Sequence, residues 1–193
     1  MKRVCVFCGS STGVRPVYEE TARAMGKALL GKGIGLVYGG GRRGLMGVLA
    51  DSVLEGGGEV IGVIPEAMSA KEVAHHGVTQ LHIVHSMHER KAMMADLSDA
   101  FVAMPGGFGT FEEFCEIITW AQLGLHRKPC GILNVEGYYK PLLELFDRAV
   151  AQGFVSTANR RLVLEEENPD RLLDLLAGYT SPRVEKWIGT DES

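Results

Sequence analysis

The sequence predicts an α/β fold, a single domain built on a doubly wound parallel sheet of about seven strands flanked by helices. Apolar runs of strand length recur along the chain, each too continuous to be half exposed, as strands covered on both faces require. Segments with helical spacing separate these runs, so strand and helix alternate almost throughout. The chain has 193 residues, 46% of them hydrophobic, enough to bury one core of its own.

In order, the expected strands are "RVCVFC" (3 to 8), "IGLVY" (34 to 38), "EVIGVI" (59 to 64), "LHIVH" (81 to 85), "AFVAM" (100 to 104), "CGILN" (130 to 134) and "LVLEE" (162 to 166). The first helix, 16 to 31, opens at Pro16 and closes near Gly33, and the second, 44 to 56, stops at a run of glycines. Further helices are expected over 87 to 98, 110 to 123, 138 to 152 (stopped by Gly153) and 168 to 178. The only long irregular connection is 65 to 80. The domain is expected to occupy 1–178, followed by a polar tail over 179–193 that Trp187 anchors.

A formal net charge of -4 without any Lys/Arg block argues against nucleic acid and membrane surfaces as partners. A run of only five apolar residues, Val4 to Cys8, stands before Gly9, too short for a secretory leader, and no segment reaches membrane-spanning length, so a cytoplasmic protein is expected. Cys5, Cys8, Cys115 and Cys130 fall in expected strands or helices, which fits a reducing compartment. Cys5 and Cys8 spell C-x-x-C, but residues three apart on a strand face opposite sides, so both are read as core. His75, His76, His82, His85, His88 and His126 form no metal-ligand spacing, and no metal is expected.

Two strand-to-helix turns are rich in glycine. "VYGGGRRGLMG" contains G-x-G-x-x-G as Gly39, Gly41 and Gly44, but it follows the second strand, and the acidic residue a dinucleotide site needs could only be Glu66, after Pro65. Close helix-to-sheet packing and a ligand role both remain open for it. In "AMPGGFGTFEE" the glycines sit where a helix begins, so backbone N–H groups can converge on an anion with the helix dipole behind them. Thr110 can cap that helix or donate to the same anion, and phosphate is the commonest anion for such a site. No lysine of the G-x-x-x-x-G-K type follows, so this is a phosphate cradle and not an NTPase loop. Glu112 and Glu113 are expected in the first helical turn, where the dipole favours the ionised form suited to a base or to steadying a developing cation.

Arg90 is anomalous. It lies amid Met87, Met93, Met94 and Leu97 on the apolar face of its helix, so it either snorkels out at the helix end or is held by a buried carboxylate or phosphate. Helix 110 to 123 carries a wide apolar arc, Phe111, Phe114, Cys115, Ile117, Ile118 and Ala121, with Trp120 beyond its edge. That is more than one sheet contact needs, and a symmetric homodimer would bury the excess.

"PGGFGTFEE" resembles the P-G-G-x-G-T-x-x-E signature of the Lonely Guy family, the cytokinin-activating nucleoside-monophosphate phosphoribohydrolases. "YGGGRRGLMG", "MHERKAMM", "SDAFVAMPGG", "ITWAQLG", "KPCGILNVEGYY" and "AVAQGF" accompany it in the same order, and the resemblance runs from about Val4 to Leu164. It implies a Rossmann-like dimer, needing no cofactor, that hydrolyses the N-glycosidic bond of purine nucleoside 5'-monophosphates. The products would be free base and ribose 5-phosphate, from N6-modified adenosine monophosphates or from AMP itself. It places the catalytic pair on Arg90 and Glu113. Substrate-binding positions fall on Glu72, Arg90, Lys91, the run Gly106, Gly107, Phe108, Gly109, Thr110, Phe111 and Glu112, and Thr119. The loop "KEVAHHGVTQ" around Glu72 departs from the spacing of the plant enzymes. The competing expectations are a nucleotide-binding or cofactor-carrier module on the same fold, and a lysine decarboxylase, for which Lys91 would have to hold pyridoxal phosphate.

Overall fold

The computed structural model describes residues 1–69 and 73–181. Glu72 and Trp187, both singled out from the sequence, lie outside the described residues. All seven expected strands form: β1 (Arg3–Phe7), β2 (Gly35–Tyr38), β3 (Val60–Pro65), β4 (Gln80–Val84), β5 (Ala100–Ala103), β6 (Cys130–Leu133) and β7 (Val163–Glu166). They make one parallel sheet in the order β4-β3-β2-β1-β5-β6-β7.

Between the strands run α1 (Pro16–Gly31), α2 (Gly44–Glu55), α3 (Glu66–Met68), α4 (Met87–Asp96), α5 (Phe108–Leu123), α6 (Lys140–Ala151), α7 (Thr157–Arg160) and α8 (Pro169–Ala177). The short α3 and α7 have too few residues to show a helical period, which is why the sequence does not disclose them.

Alternate residues of each strand feed two cores. Val4, Val6 and Cys8 pack with α1, α2 and α8 on one face, while Cys5 and Phe7 pack with α4, α5 and α6 on the other. Cys5 and Cys8 therefore face opposite layers. Burial pushes both thiols up, away from the reactive range.

The winding reverses beside β1. From β1 the chain steps outward to β4, then returns to lay β5 on the other side of β1. The loops leaving β1 and β5 consequently diverge, one to α1 on one face and the other to α5 on the opposite face. A crevice at their carboxyl ends is the topological consequence, and it is where such sheets bind ligands.

Candidate active site

A cleft of about 300 Å³ opens at that crevice, bounded by residues 9 to 13 of the β1–α1 loop, by Tyr18 and Leu45, by Pro105, Gly106 and Gly107 of the turn after β5, and by Tyr138. Gly9 and Gly106 allow the two loops to touch: a Cβ on Gly106 would lie 2.1 Å from the Thr110 hydroxyl oxygen and 2.9 Å from the Gly9 nitrogen.

Beneath these loops, on the α4/α5 face, Arg90 and Glu113 meet. Helix α4 is started firmly, with the Ser86 hydroxyl accepting from the Glu89 amide at 3.1 Å and the Glu89 carboxylate accepting from the His85 amide at 2.8 Å. One turn later Arg90 points into the protein. Its Nη1 donates to Glu113 Oε1 at 2.6 Å and its Nε to the Val63 carbonyl at 3.1 Å, and both charged side chains are nine-tenths buried. Of the two alternatives the sequence left for Arg90, the protein uses the buried carboxylate. Removing one member of such a pair strands the other charge, at a cost of about 3–5 kcal/mol.

Next to it, Lys91 Nζ bridges Glu112 at 2.6 Å and Glu116 at 2.9 Å. Burial alone would lower its pKa, but the two carboxylates outweigh burial and hold it above the ordinary value. Glu116 is a site residue that the motifs do not point to. It stands four residues after Glu112 on the same face of α5, and that spacing is the signal that could have disclosed it. Its second carboxylate oxygen is buried without a partner among the described residues.

Three expectations for this region are corrected. Helix α5 begins at Phe108 with Gly107 as its cap, so Thr110 lies inside the first turn and is not the cap. Glu112 and Glu113 accordingly fall in the second turn, beyond the reach of the dipole. The pKa of Glu113 moves opposite to the expected direction: burial raises it, and Arg90 restrains the rise.

In the other glycine turn the structure shows the packing role directly. A Cβ on Gly39 would lie 2.0 Å from Arg90 Nη2, and one on Gly44 would meet the Ser10 carbonyl carbon at 2.2 Å. Gly44 also takes φ +64, which only glycine adopts easily. This turn supports the ion pair and the β1–α1 loop from behind, and none of its glycines borders the cleft.

The remaining expected positions separate. Gly106 and Gly107 border the cleft, while Phe108 is 92% exposed beside it and packs edge to face on Phe111. Gly109 has open space where a side chain would go. Thr119 is elsewhere: its hydroxyl bonds back to the Cys115 carbonyl at 2.8 Å, and it lines a second, apolar groove of about 170 Å³ with Ile118, Phe146 and Val155. It lies eleven residues along α5 from Phe108, the first residue of the helix, about 16 Å at the helical rise. Sequence reasoning also misses Ser10, Ser11, Thr12, Tyr18 and Tyr138 as cleft residues. The small polar run "GSSTG" directly after the first strand is the available signal.

Comparison with known proteins is decisive for the family. The model of the family described as "possible lysine decarboxylase" matches residues 46–176. A probable cytokinin riboside 5'-monophosphate phosphoribohydrolase of Oryza sativa subsp. japonica is 50% identical over 183 residues, 95% of this chain and 82% of the relative. The chain belongs to the Lonely Guy family. Other Lonely Guy relatives include a cytokinin riboside 5'-monophosphate phosphoribohydrolase of Arabidopsis thaliana, 49% identical over 92% of this chain and 82% of its own length. One of Rhodococcoides fascians is 53% identical over 84% of this chain and 83% of its own length. Among solved structures, the molybdenum cofactor binding protein of Rippkaea orientalis superposes with a TM-score of 0.69 at 19% identity, covering 92% of this chain and 96% of that one. The molybdenum cofactor carrier protein of Chlamydomonas reinhardtii gives 0.68 at 19% identity, with 92% and 99% covered. At that identity these structures establish a shared fold and nothing further. Among the described residues no helix is long and apolar enough to cross a membrane.

Proposed function

We propose that this Lonely Guy protein hydrolyses the N-glycosidic bond of adenosine 5'-monophosphates, N6-modified ones above all, releasing the free base and ribose 5-phosphate. The observation that carries the reading is the buried Arg90–Glu113 pair set under the carboxyl ends of the sheet, beside a glycine turn suited to phosphate. The names of the relatives, half identical over most of the chain, support the same reaction.

Breaking the C1'–N bond sends its electron pair to the base nitrogen and leaves cationic character on the ribosyl carbon, which a fixed carboxylate stabilises. Glu113 takes that role and orients the water whose oxygen bonds to C1'. The water loses its proton and the leaving base nitrogen gains one. Arg90 fixes the carboxylate geometry and keeps it ionised against burial. Gly106 and Gly107 receive the 5'-phosphate, so binding energy remote from the reaction positions C1'. Lys91, Glu112 and the segment 108 to 111 complete the substrate site, and Glu72 is assigned to it by resemblance alone.

Thr119 lies far along α5 from the turn, and a second copy packed there would bring it to the nucleotide. This supports a homodimer packed through α5, where Cys115 and Ile118 stay only half buried. The free cysteines fit a cytoplasmic setting. Lysine decarboxylation does not fit the residues present. A Schiff base needs a neutral amine, whereas Lys91 is held charged between two carboxylates.

The test is chromatographic. Purified protein is incubated with AMP and with isopentenyl-AMP, and free base and ribose 5-phosphate are quantified. Equimolar appearance of both products is the expected result. Tight nucleotide binding without either product would replace the hydrolase by a carrier module.

A further inference from the structure

The carbonyl groups of the glycine turn are tied back one after another. The Met104 carbonyl accepts from the Tyr139 hydroxyl at 2.7 Å, the Pro105 carbonyl accepts from the Gly9 amide at 3.0 Å, and the Gly106 carbonyl accepts from the Tyr138 hydroxyl. Across a trans peptide the C=O and the following N–H point in opposite directions. The bonds that hold the Pro105 and Gly106 carbonyls therefore also aim the amides of Gly106 and Gly107 away from those anchors. Among the described residues neither amide has a protein acceptor, and both glycines border the cleft together with Tyr138.

The loop that delivers the tyrosines is held in an unfavourable backbone conformation. Glu136 sits at φ 47, the one positive φ outside glycine among the described residues, and Gly137 follows at φ 74. A left-handed glutamate persists only where its surroundings over-determine it. Here Arg15, from the β1–α1 loop, pairs with the Glu136 carboxylate. Asn134 accepts from the Tyr139 amide at 2.7 Å and donates to Glu165 at 2.7 Å. Tyr139 is buried behind the turn, and the Tyr138 ring packs edge to face on Tyr18 and on Tyr139 at the cleft wall.

We infer that Tyr138 is a positioning residue for the 5'-phosphate, supported by Tyr139: its hydroxyl fixes the Gly106–Gly107 peptide so that the turn's amides face the cleft. The strained loop 134 to 139 serves to deliver that hydroxyl. The inference rests on the phosphate being held at Gly106 and Gly107, as in the reaction proposed above.

Tyr138→Phe removes one oxygen and leaves the ring contacts. Ribose 5-phosphate and adenine are titrated calorimetrically into the wild type and the variant, and kcat and KM are measured with isopentenyl-AMP. The dissociation constant for ribose 5-phosphate and the KM should both rise about five- to tenfold, the effect of one lost hydrogen bond at an anion site, with kcat within about twofold and adenine binding unchanged. Unchanged ribose 5-phosphate affinity, or a fall in kcat at constant KM, would overturn the inference, as would a wild type that does not bind ribose 5-phosphate. Weakened ribose 5-phosphate binding in a protein that cleaves no nucleotide would uphold the positioning role while the hydrolase reading fails.

Discussion

The turn after β2, residues 39 to 44, and the turn after β5, residues 105 to 107, are made of the same material: an apolar strand, clustered glycines and the start of a helix. In the first, Gly39 is filled by the Arg90 guanidinium, Gly41 lies against Met46 and Gly44 against the Ser10–Ser11 backbone. In the second, only Gly106 is tightly met, and Gly107 has open space where a side chain would go. The sheet order makes the difference. β2 lies between β1 and β3 on one side of the winding, and Gly39 to Gly41 of its turn are buried against protein, whereas β5 lies beside β1 across the reversal, so its turn faces a crevice. Glycine spacing identifies a place where backbone comes close to something. Topology decides whether that something is protein or ligand.

The comparison is broken most severely at Gly39. Alanine there collides with a group locked in a buried ion pair, so Gly39→Ala should cost about 3 kcal/mol of stability, the low end for disrupting such a pair, and lower kcat/KM about a hundredfold. Thermal melting and steady-state kinetics check both; a variant with wild-type kinetics would mean that Arg90 can be displaced without consequence. Gly106→Ala comes next. The new methyl would crowd the Thr110 hydroxyl and the Gly9 amide, an overpacking cost of about 1–3 kcal/mol, and the rise should appear in KM before kcat.

A pH profile sharpens the contrast between the neutral turn and the charged pair below it. Burial raises the pKa of Glu113 above the ordinary 4.5 and Arg90 opposes the rise, so the acid limb of kcat should lie above 4.5 and move higher still in Arg90→Gln. Stability runs the other way. Between the ordinary and the raised pKa the native protein binds more protons than the unfolded chain, so this residue's contribution to unfolding free energy grows as pH falls through that window. Denaturant titrations at two pH values, with Glu113→Gln as reference, isolate it. The smallest effects belong to Gly41→Ala, where the flexible end of Met46 can move aside, and Gly107→Ala, which meets nothing. Each should stay within about 0.5 kcal/mol of wild type in stability.

Much of this architecture is legible in the amino-acid sequence. The strands are apolar runs bounded by polar or glycine residues, and Arg90 discloses itself by standing where an apolar side chain belongs. What is not legible depends on residues far apart in sequence. Thr110 looks like a helix cap because threonine is among the residues favoured there. The protein starts α5 at Phe108 instead, because Gly107 can approach the cleft without a side chain, and Glu112 and Glu113 thereby leave the first turn. Gly39 could not be matched to Arg90, nor Tyr138 to Gly106, since each pair joins two connections that meet only through the order of the strands. Glu116 is hidden by its ordinary place in an amphipathic helix.

The most direct test of Glu113 as the group that steadies the ribosyl cation is the kcat of Glu113→Gln with isopentenyl-AMP, measured beside its affinity for ribose 5-phosphate. A fall in kcat of about a hundred- to a thousandfold, with ribose 5-phosphate affinity within about twofold of wild type, is the predicted result. Retention of kcat within about tenfold would contradict the assignment and move the chemistry to another residue.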